Sequence, residues 1–112
     1  MNISIISTIQ PEERPSMLRQ QNDKTTRIAI TSGGLSPVVD SLGGNRHSVF
    51  ADVFLHALRE NFKASTSSEI FQTILKKFQP IMESEGLEQM PEHAGLYKSG
   101  HDGGDFIFNP AR

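Results

Sequence analysis

The sequence predicts an α/β arrangement whose sheet is incomplete, with few strands flanked by two helices. Two observations predict it: residues 25–31 and 105–109 have strand character, and the two segments between them have helical spacing. Two or three strands cannot form a well-covered sheet alone, and two broad apolar helix faces need a surface to pack against. We therefore predict that another chain, or self-association, completes the sheet.

Residues 1–24 are predicted to be an N-terminal extension or linker, ahead of a structured region at residues 25–112. Residues 1–9 alternate isoleucine with polar residues, as in a short strand. Residues 10–24 are polar and contain Pro11 and Pro15, so we predict a linker or an irregular helix there.

The first well-defined strand is predicted at residues 25–31, which are rich in β-branched residues and place Ile28 and Ile30 on one face. It stops at the Ser-Gly-Gly sequence of residues 32–34, where glycine allows the backbone a positive φ. Residues 35–46 are then predicted to form a loop, long enough to be functional rather than only connective.

Two amphipathic helices are predicted next. The first covers residues 47–62, with Ser48 as a capping or first-turn residue, and its apolar face comprises Val49, Phe50, Val53, Phe54, Ala57, Leu58 and Phe62. The second begins near the Thr-Ser-Ser-Glu sequence of residues 66–69, a capping-box pattern, and Pro80 is predicted to end or kink it. Its apolar stripe comprises Ile70, Phe71, Ile74, Leu75 and Phe78.

The C-terminal part is predicted to hold one more strand. Residues 84–95 are polar and predicted to be irregular, and residues 96–98 are predicted to be a short extended piece. Residues 105–109 are apolar on both faces, which is typical of a strand buried between layers or placed at a sheet edge under a helix.

Composition excludes several function classes. A net charge of −2, with no basic run longer than residues 76–77, predicts no nucleic-acid partner. No segment approaches the roughly 18 apolar residues that span a bilayer, so we predict no membrane partner and a cytoplasmic location. The 112 residues contain no cysteine, hence no thiol nucleophile. The four histidines lack H-x-x-x-H or H-E-x-x-H spacing, so we predict no metal site and no cofactor.

Two glycine-punctuated motifs resemble bacterial members of the caspase and metacaspase family of cysteine peptidases. The first is TSGGLSPVVD at residues 31–40, followed by Gly-Gly at 43–44 and HSVFA at 47–51; the second is GHDGGDFIF at residues 100–108. The resemblance covers roughly residues 25–110. This segment is similar to the C-terminal, small-subunit-like half of the family's domain. The resemblance implies a partial caspase-like sandwich with an incomplete sheet.

The resemblance also implies a role in peptide-bond hydrolysis. Family members use a His–Cys dyad in the large-subunit-like half, which this sequence lacks, so we expect no catalytic residue here and no activity of this chain alone. By the resemblance, Thr31, Ser32 and Gly33 lie beside the primary pocket for a peptide substrate, and Asp40 is the carboxylate that takes Arg or Lys. The implied partner is a large-subunit-like chain that carries the dyad, or a second copy of this chain.

Other interpretations of the same residues stay open. The chain is also consistent with a non-catalytic protein-interaction module, or with a small ligand-binding domain that uses the loop at residues 33–34. Asp40 is equally consistent with a solvated loop carboxylate. His101 follows Ser-Gly, as the dyad histidine of the family does, but we exclude it as a base. The sequence after it matches the terminal strand motif, and no cysteine is present for it to serve.

Overall fold

The computed structural model describes residues 11–33, 48–86 and 88–110. Within these ranges the chain is mixed α and β, with three α-helices and two small antiparallel sheets of two strands each. Asp40 lies outside the described residues, as do the predicted strand at residues 1–9 and the predicted loop at residues 35–46. No helix in the described ranges is both long and apolar enough to cross a membrane.

The elements follow one another with short connections where the structure describes them. A 3-10 turn at Pro11–Glu13 leads into the first helix. The helices are α1 (Arg14–Asp23), α2 (Val49–Glu60) and α3 (Ser67–Glu85), and the strands are β1 (Ile28–Thr31), β2 (Ser65–Thr66), β3 (Glu92–Gly95) and β4 (Ile107–Phe108).

The helix α1 occupies the segment for which a linker or an irregular helix was predicted, and it is a regular α-helix. Pro15 lies in its first turn, where a missing N–H removes no helical hydrogen bond. Within the described chain no residue of α1 is buried. It is tied down by its first residue, because the Arg14 guanidinium donates to both carboxylate oxygens of Glu69, at 2.8 and 2.7 Å, and to the Ala64 carbonyl at 2.7 Å.

The core lies between α2 and α3, as the two apolar stripes predicted. The buried side chains are Val49, Phe50, Val53, Ala57, Ile70, Ile74, Phe78 and Met82, with Ile30 and Phe108 packed beside them. The Phe50 and Phe78 rings meet edge to face with centroids 6.2 Å apart. One predicted member is wrong: Phe62 is 83% exposed, because α2 ends at Glu60 and residue 62 lies beyond its apolar face.

The predicted capping residues at the start of both helices are confirmed, and α2 itself begins at Val49. Ser48 caps α2 and its side chain accepts from the Ala51 N–H at 3.1 Å. Thr66 caps α3 in a complete capping box with Glu69. The prediction that Pro80 ends this helix is wrong, because α3 continues to Glu85 with the buried Phe78 and Met82 on either side of the proline. Proline has no N–H to donate to the carbonyl four residues earlier, that of Lys76. Both residues are exposed to water.

The strand β3 corrects the prediction for the C-terminal part. Residues 92–95 pair antiparallel with β1, Ile28 opposite Gly95 and Thr31 opposite Glu92, in a segment predicted to be irregular. Of residues 96–98, predicted to be extended, Leu96 still hydrogen-bonds to the Arg27 carbonyl, whereas residues 97–98 belong to a turn over residues 97–100, with Lys98 at φ 56°. The sequence Glu-His-Ala-Gly has no β-branched residue, so pairing with β1 overrides its weak strand propensity.

The predicted strands at residues 25–31 and 105–109 are present but shorter, as β1 and β4. In the second sheet, Ser65 lies opposite Phe108 and Thr66 opposite Ile107. Because β2 runs directly into α3, this pairing places the loop before β4 against the first turn of α3. That contact brings together the best-defined polar cluster of the described residues.

Candidate functional site

The predicted substrate residues lie at the end of β1. Thr31 is exposed, whereas Ser32 and Gly33 are half-buried. These three residues lie together because they are consecutive in the chain. Asp40, the fourth predicted residue, lies outside the described residues. Beside them lies Gln89, whose Nε2 donates to the Ser32 carbonyl at 2.5 Å. Sequence reasoning missed Gln89 because the contact spans 57 residues and no local pattern signals it.

A second polar cluster is built around Asp105 at the N-terminus of α3. Its Oδ1 accepts from the Ser67 hydroxyl and from the Ser67 N–H at 3.1 Å, an N–H shared with the Phe106 carbonyl at 2.9 Å. Its Oδ2 accepts from the Ser68 N–H at 3.2 Å and hydroxyl at 2.6 Å. A helix N-terminus offers free N–H groups and a partial positive charge. The buried carboxylate is therefore compensated by four donors.

His93, on β3, extends this cluster to the other sheet. Its Nε2 lies 2.8 Å from the Ser67 hydroxyl. Because that hydroxyl gives its hydrogen to Asp105, it accepts from His93, so the imidazole is protonated on Nε2. Within the described chain the buried Nδ1 has no hydrogen-bond partner. The ring stacks on Phe71 with centroids 5.3 Å apart.

The cluster is not a nucleophilic serine site. In a catalytic triad the serine donates to histidine and the histidine to the carboxylate, so that the base can take the serine proton. Here the order is reversed, since Ser67 donates directly to Asp105. Ser67 is also only 1% exposed, so a substrate carbonyl cannot reach its hydroxyl. The arrangement caps α3 and joins β3 to the loop before β4.

His93 makes the stability of the fold depend on pH. Burial lowers the pKa of His93 and outweighs the opposing Asp105 carboxylate, while the nearby His101 lowers it further. A lowered pKa means that the unfolded chain binds more protons than the folded chain just below the ordinary pKa of histidine, about 6.5. We expect the free energy of unfolding to fall as the pH drops through this range and to level off below the folded pKa.

Urea unfolding between pH 8 and pH 5 measures this dependence. The variant His93→Gln keeps an amide donor for Ser67 and removes the titrating ring, so the decline between pH 7 and pH 5.5 should be shallower than in the native chain. His56→Gln, on the exposed face of α2, removes an imidazole outside this cluster and is the comparison variant, in which the decline should stay steeper than in His93→Gln. Equal slopes for the native chain and His93→Gln would contradict the assignment.

His101 has a structural position. Its Nδ1 accepts from the Arg27 N–H at 3.0 Å, and its ring covers Gly95, where an added Cβ would lie 2.5 Å from Cδ2. The two glycines that follow it in the second glycine motif, at residues 103–104, also have structural roles. Gly103 has φ 74°, and a Cβ on Gly104 would lie 2.7 Å from the Lys24 carbonyl. The second glycine motif therefore packs its loop against residues 24–27 and presents Asp105 to α3.

The part of the surface that the structure describes has no cluster of metal ligands. Among the described residues no group of three or more potential ligands (His, Cys, Asp or Glu) lies close enough to hold a metal ion. An open cleft of about 340 Å³ lies between the end of α2 and the first half of α3, with Ala57 and Ile70 among its lining residues. The Glu60 carboxylate at its edge is engaged by Lys77 at 2.8 Å and His56 at 3.3 Å. The predicted residues Thr31, Ser32 and Gly33 do not line it.

Comparison with known proteins adds no relative to this picture. The chain matches no protein-family model, no curated protein and no solved structure. The class that can be stated for the described residues is therefore a mixed α and β protein with two small antiparallel sheets.

Proposed function

We propose that this chain is the substrate-cleft, small-subunit-like part of a caspase-like cysteine endopeptidase and works with a large-subunit-like chain that carries the His–Cys dyad. The observation that supports the proposal is that β1 has one edge without a neighbouring strand among the described residues. Among the described residues this apolar strand is paired along one edge only, with β3. A strand with an open edge accepts a further strand by main-chain hydrogen bonding.

The ladder indicates which groups the open edge presents. The Leu96 N–H donates to the Arg27 carbonyl at 2.8 Å, so these opposite residues form a hydrogen-bonded pair. Such pairs alternate along an antiparallel ladder, and the next ones therefore involve Ala29 and Thr31. Ile28 and Ile30 then direct their N–H and C=O groups to the other edge. On this proposal a strand of the large-subunit-like chain pairs there and extends β1–β3 into one side of a caspase-like sandwich.

The end of β1 then borders the substrate cleft. A peptide substrate runs past Thr31, Ser32 and Gly33, and Asp40 receives a substrate Arg or Lys. A carboxylate and a guanidinium form two parallel hydrogen bonds, which gives both affinity and selectivity for arginine. The thiolate, the base and the acyl-enzyme intermediate belong to the partner chain. This chain supplies positioning and no catalytic group.

A second candidate is a non-catalytic interaction module that uses the same surfaces. The observation that favours it is the exposure of large side chains, with Tyr97 at 88% and Phe62 at 83%. Aromatic side chains are enriched in protein interfaces, where they supply contact area at small entropic cost. On this alternative the open edge and the exposed aromatic residues bind a partner and no peptide bond is cleaved.

The proposal is tested by reconstitution with peptide reporters that end in Arg or Lys. The chain alone should give no turnover. Co-purification with a large-subunit-like chain from the same genome should give turnover that depends on the partner's cysteine. Asp40→Lys should then lower kcat/KM for Arg reporters by about 100-fold, since it replaces an ion pair in the pocket with a repulsion.

Asp23→Lys makes the same charge change on the exposed end of α1 and is the matched control, which should retain activity. Turnover by the pure chain, or an unchanged preference for basic residues in Asp40→Lys, would contradict the proposal. A stable complex without turnover would favour the interaction module.

A further inference from the structure

The Arg14 guanidinium fills a small polar site at the start of α3. The Glu69 carboxylate accepts from its Nη1 at 2.8 Å and from its Nη2 at 2.7 Å, and the Ala64 carbonyl accepts from Nη2 at 2.7 Å. Two parallel bonds to a carboxylate and a third to a carbonyl match the fork of a guanidinium, an arrangement that a lysine ammonium cannot reproduce. The two acceptor residues therefore form an arginine site.

The acceptors of this arginine site are held in place by contacts that do not involve α1. Glu69 Oε1 also accepts from the Thr66 N–H at 2.9 Å, and the Thr66 hydroxyl accepts from the Glu69 N–H at 3.1 Å. This capping box fixes the carboxylate at the N-terminus of α3. Ala64 directly precedes β2, which pairs with β4. The site therefore keeps its shape when Arg14 leaves it.

The helix that brings Arg14 to the site has few other attachments. The helix α1 has 10 residues, its N-terminus has no side-chain cap, and within the described chain none of its residues is buried. Isolated helices of this length are marginal in water. Near its other end the Gln21 carbonyl accepts from the Asp105 N–H at 3.3 Å. The helix α1 therefore depends largely on the Arg14 contact for its place on the fold.

We propose that Glu69 and Ala64 bind an arginine side chain of a partner protein, and that Arg14 occupies this site in the free chain as an intramolecular competitor. The inference does not rest on the proposed peptidase role. The site consists of acceptors with one negative charge, so it requires a cation that only donates, and its geometry selects a guanidinium. Glu69 also lines the open cleft of about 340 Å³, where Ala57 and Ile70 offer apolar surface to a partner segment.

Competition couples binding at this site to the order of α1. An arginine that takes the site releases Arg14, and a helix without a cap or buried residues then unfolds. The apparent affinity for the partner's arginine is reduced in proportion to the fraction of chains whose site is free of Arg14. Removing Arg14 should therefore raise the affinity, and removing the Glu69 charge should lower it.

The first measurement titrates the native chain with acetyl-argininamide at constant ionic strength. We expect the probe to move the amide resonances of Ala64 and Glu69 and to speed hydrogen exchange over residues 14–23, while exchange in α2 stays unchanged. Acetyl-lysinamide should bind at least about fivefold more weakly. Shifted resonances without faster exchange in α1 would overturn the competition. No shift at about 100 mM probe, well above the millimolar affinity expected of a small ligand, would overturn the site.

The second measurement compares the affinity of variants for the same probe. Arg14→Met should bind it about tenfold more tightly than the native chain. Adding Glu69→Gln to Arg14→Met should abolish this gain. Adding Glu60→Gln, which removes a carboxylate lining the same cleft but engaged by Lys77, is the matched control and should keep the gain. Equal affinities of the native chain and Arg14→Met, or equal losses in the two double variants, would overturn the inference. If Arg14→Met does not fold, the exchange experiment on the native chain decides. A native dimer in sedimentation that Arg14→Met abolishes would overturn it in favour of exchange of α1 between two copies.

Discussion

Replacing Asp105 with alanine is expected to lower the free energy of unfolding by about 3 kcal/mol, the largest effect we expect from a polar side chain of the described residues. The substitution removes the acceptor of the Ser67 and Ser68 hydroxyls and of the Ser68 N–H, all of them buried. The Ser67 N–H keeps the Phe106 carbonyl, so the loss falls mainly on the other three donors. Buried donors that lose this acceptor lose the hydrogen bond that offsets the cost of removing them from water.

Urea unfolding at pH 7.5 measures this effect, and two further variants sharpen it. Asp105→Asn keeps the size of the side chain but turns an NH₂ group toward the Ser68 donors or the Ser67 donors, so it should recover little of the stability. Asp102→Ala removes an exposed carboxylate from the same loop and should change the free energy of unfolding by less than about 0.5 kcal/mol. Equal losses for Asp105→Ala and Asp102→Ala would show that the cap does not hold α3.

Arg14→Met is expected to cost about 1–2 kcal/mol, because it removes three hydrogen bonds and leaves Glu69 without its cation. The two side chains are 20% and 21% exposed, which places the pair between surface and buried ion pairs. Burial alone would raise the pKa of Glu69, but hydrogen bonds from Arg14 and Thr66 and the Arg14 charge hold that pKa below its ordinary value. The stabilisation is therefore present above the ordinary pKa of glutamate and is lost as the pH falls through the folded pKa.

The measurement is urea unfolding at pH 7 and pH 3.5, with hydrogen exchange of residues 14–23 as a local readout. At pH 3.5 the difference between the native chain and Arg14→Met should shrink, since this pH lies below the ordinary pKa of glutamate and the contribution of Glu69 declines as the pH falls toward its folded pKa. Arg14→Lys should recover part of the loss, because an ammonium cannot span both carboxylate oxygens and the Ala64 carbonyl. Arg19→Met, exposed on the same helix, is the control. Unchanged exchange rates in Arg14→Met would mean that α1 is held by other contacts.

Local patterns predicted the features that depend on neighbours in sequence. The Ser48 cap, the capping box at Thr66 and the two apolar stripes all rest on residues within one or two helical turns, and the structure bears them out apart from Phe62, which is exposed beyond the end of α2. The same reasoning predicted that Pro80 ends or kinks the helix, and the end at Pro80 is wrong, because propensity counts the missing hydrogen bond and omits the packing on both sides of the proline.

Contacts across long stretches of chain were not predictable from one sequence. The strand at residues 92–95 exists because β1 lies beside it, and its own composition does not favour a strand. Gln89 and Asp105 act on residues 57 and 38 positions away, and neither contact follows a helical or strand period. The GHDGGDFIF sequence resembles a family motif. In the structure its loop packs against residues 24–27, and its Asp105 caps α3.

The capping of α3 by Asp105 has a consequence for how the chain folds as it is made. The ribosome delivers α3 well before residue 105, so the first turn of that helix leaves the exit tunnel with its Ser67 and Ser68 groups still hydrated. Contacts that span long stretches of chain form late, and a nascent chain samples partly folded states until they do. Chains arrested before residue 105 should therefore hold α3 loosely, and addition of the segment that carries Asp105 should stabilise the first turn of that helix.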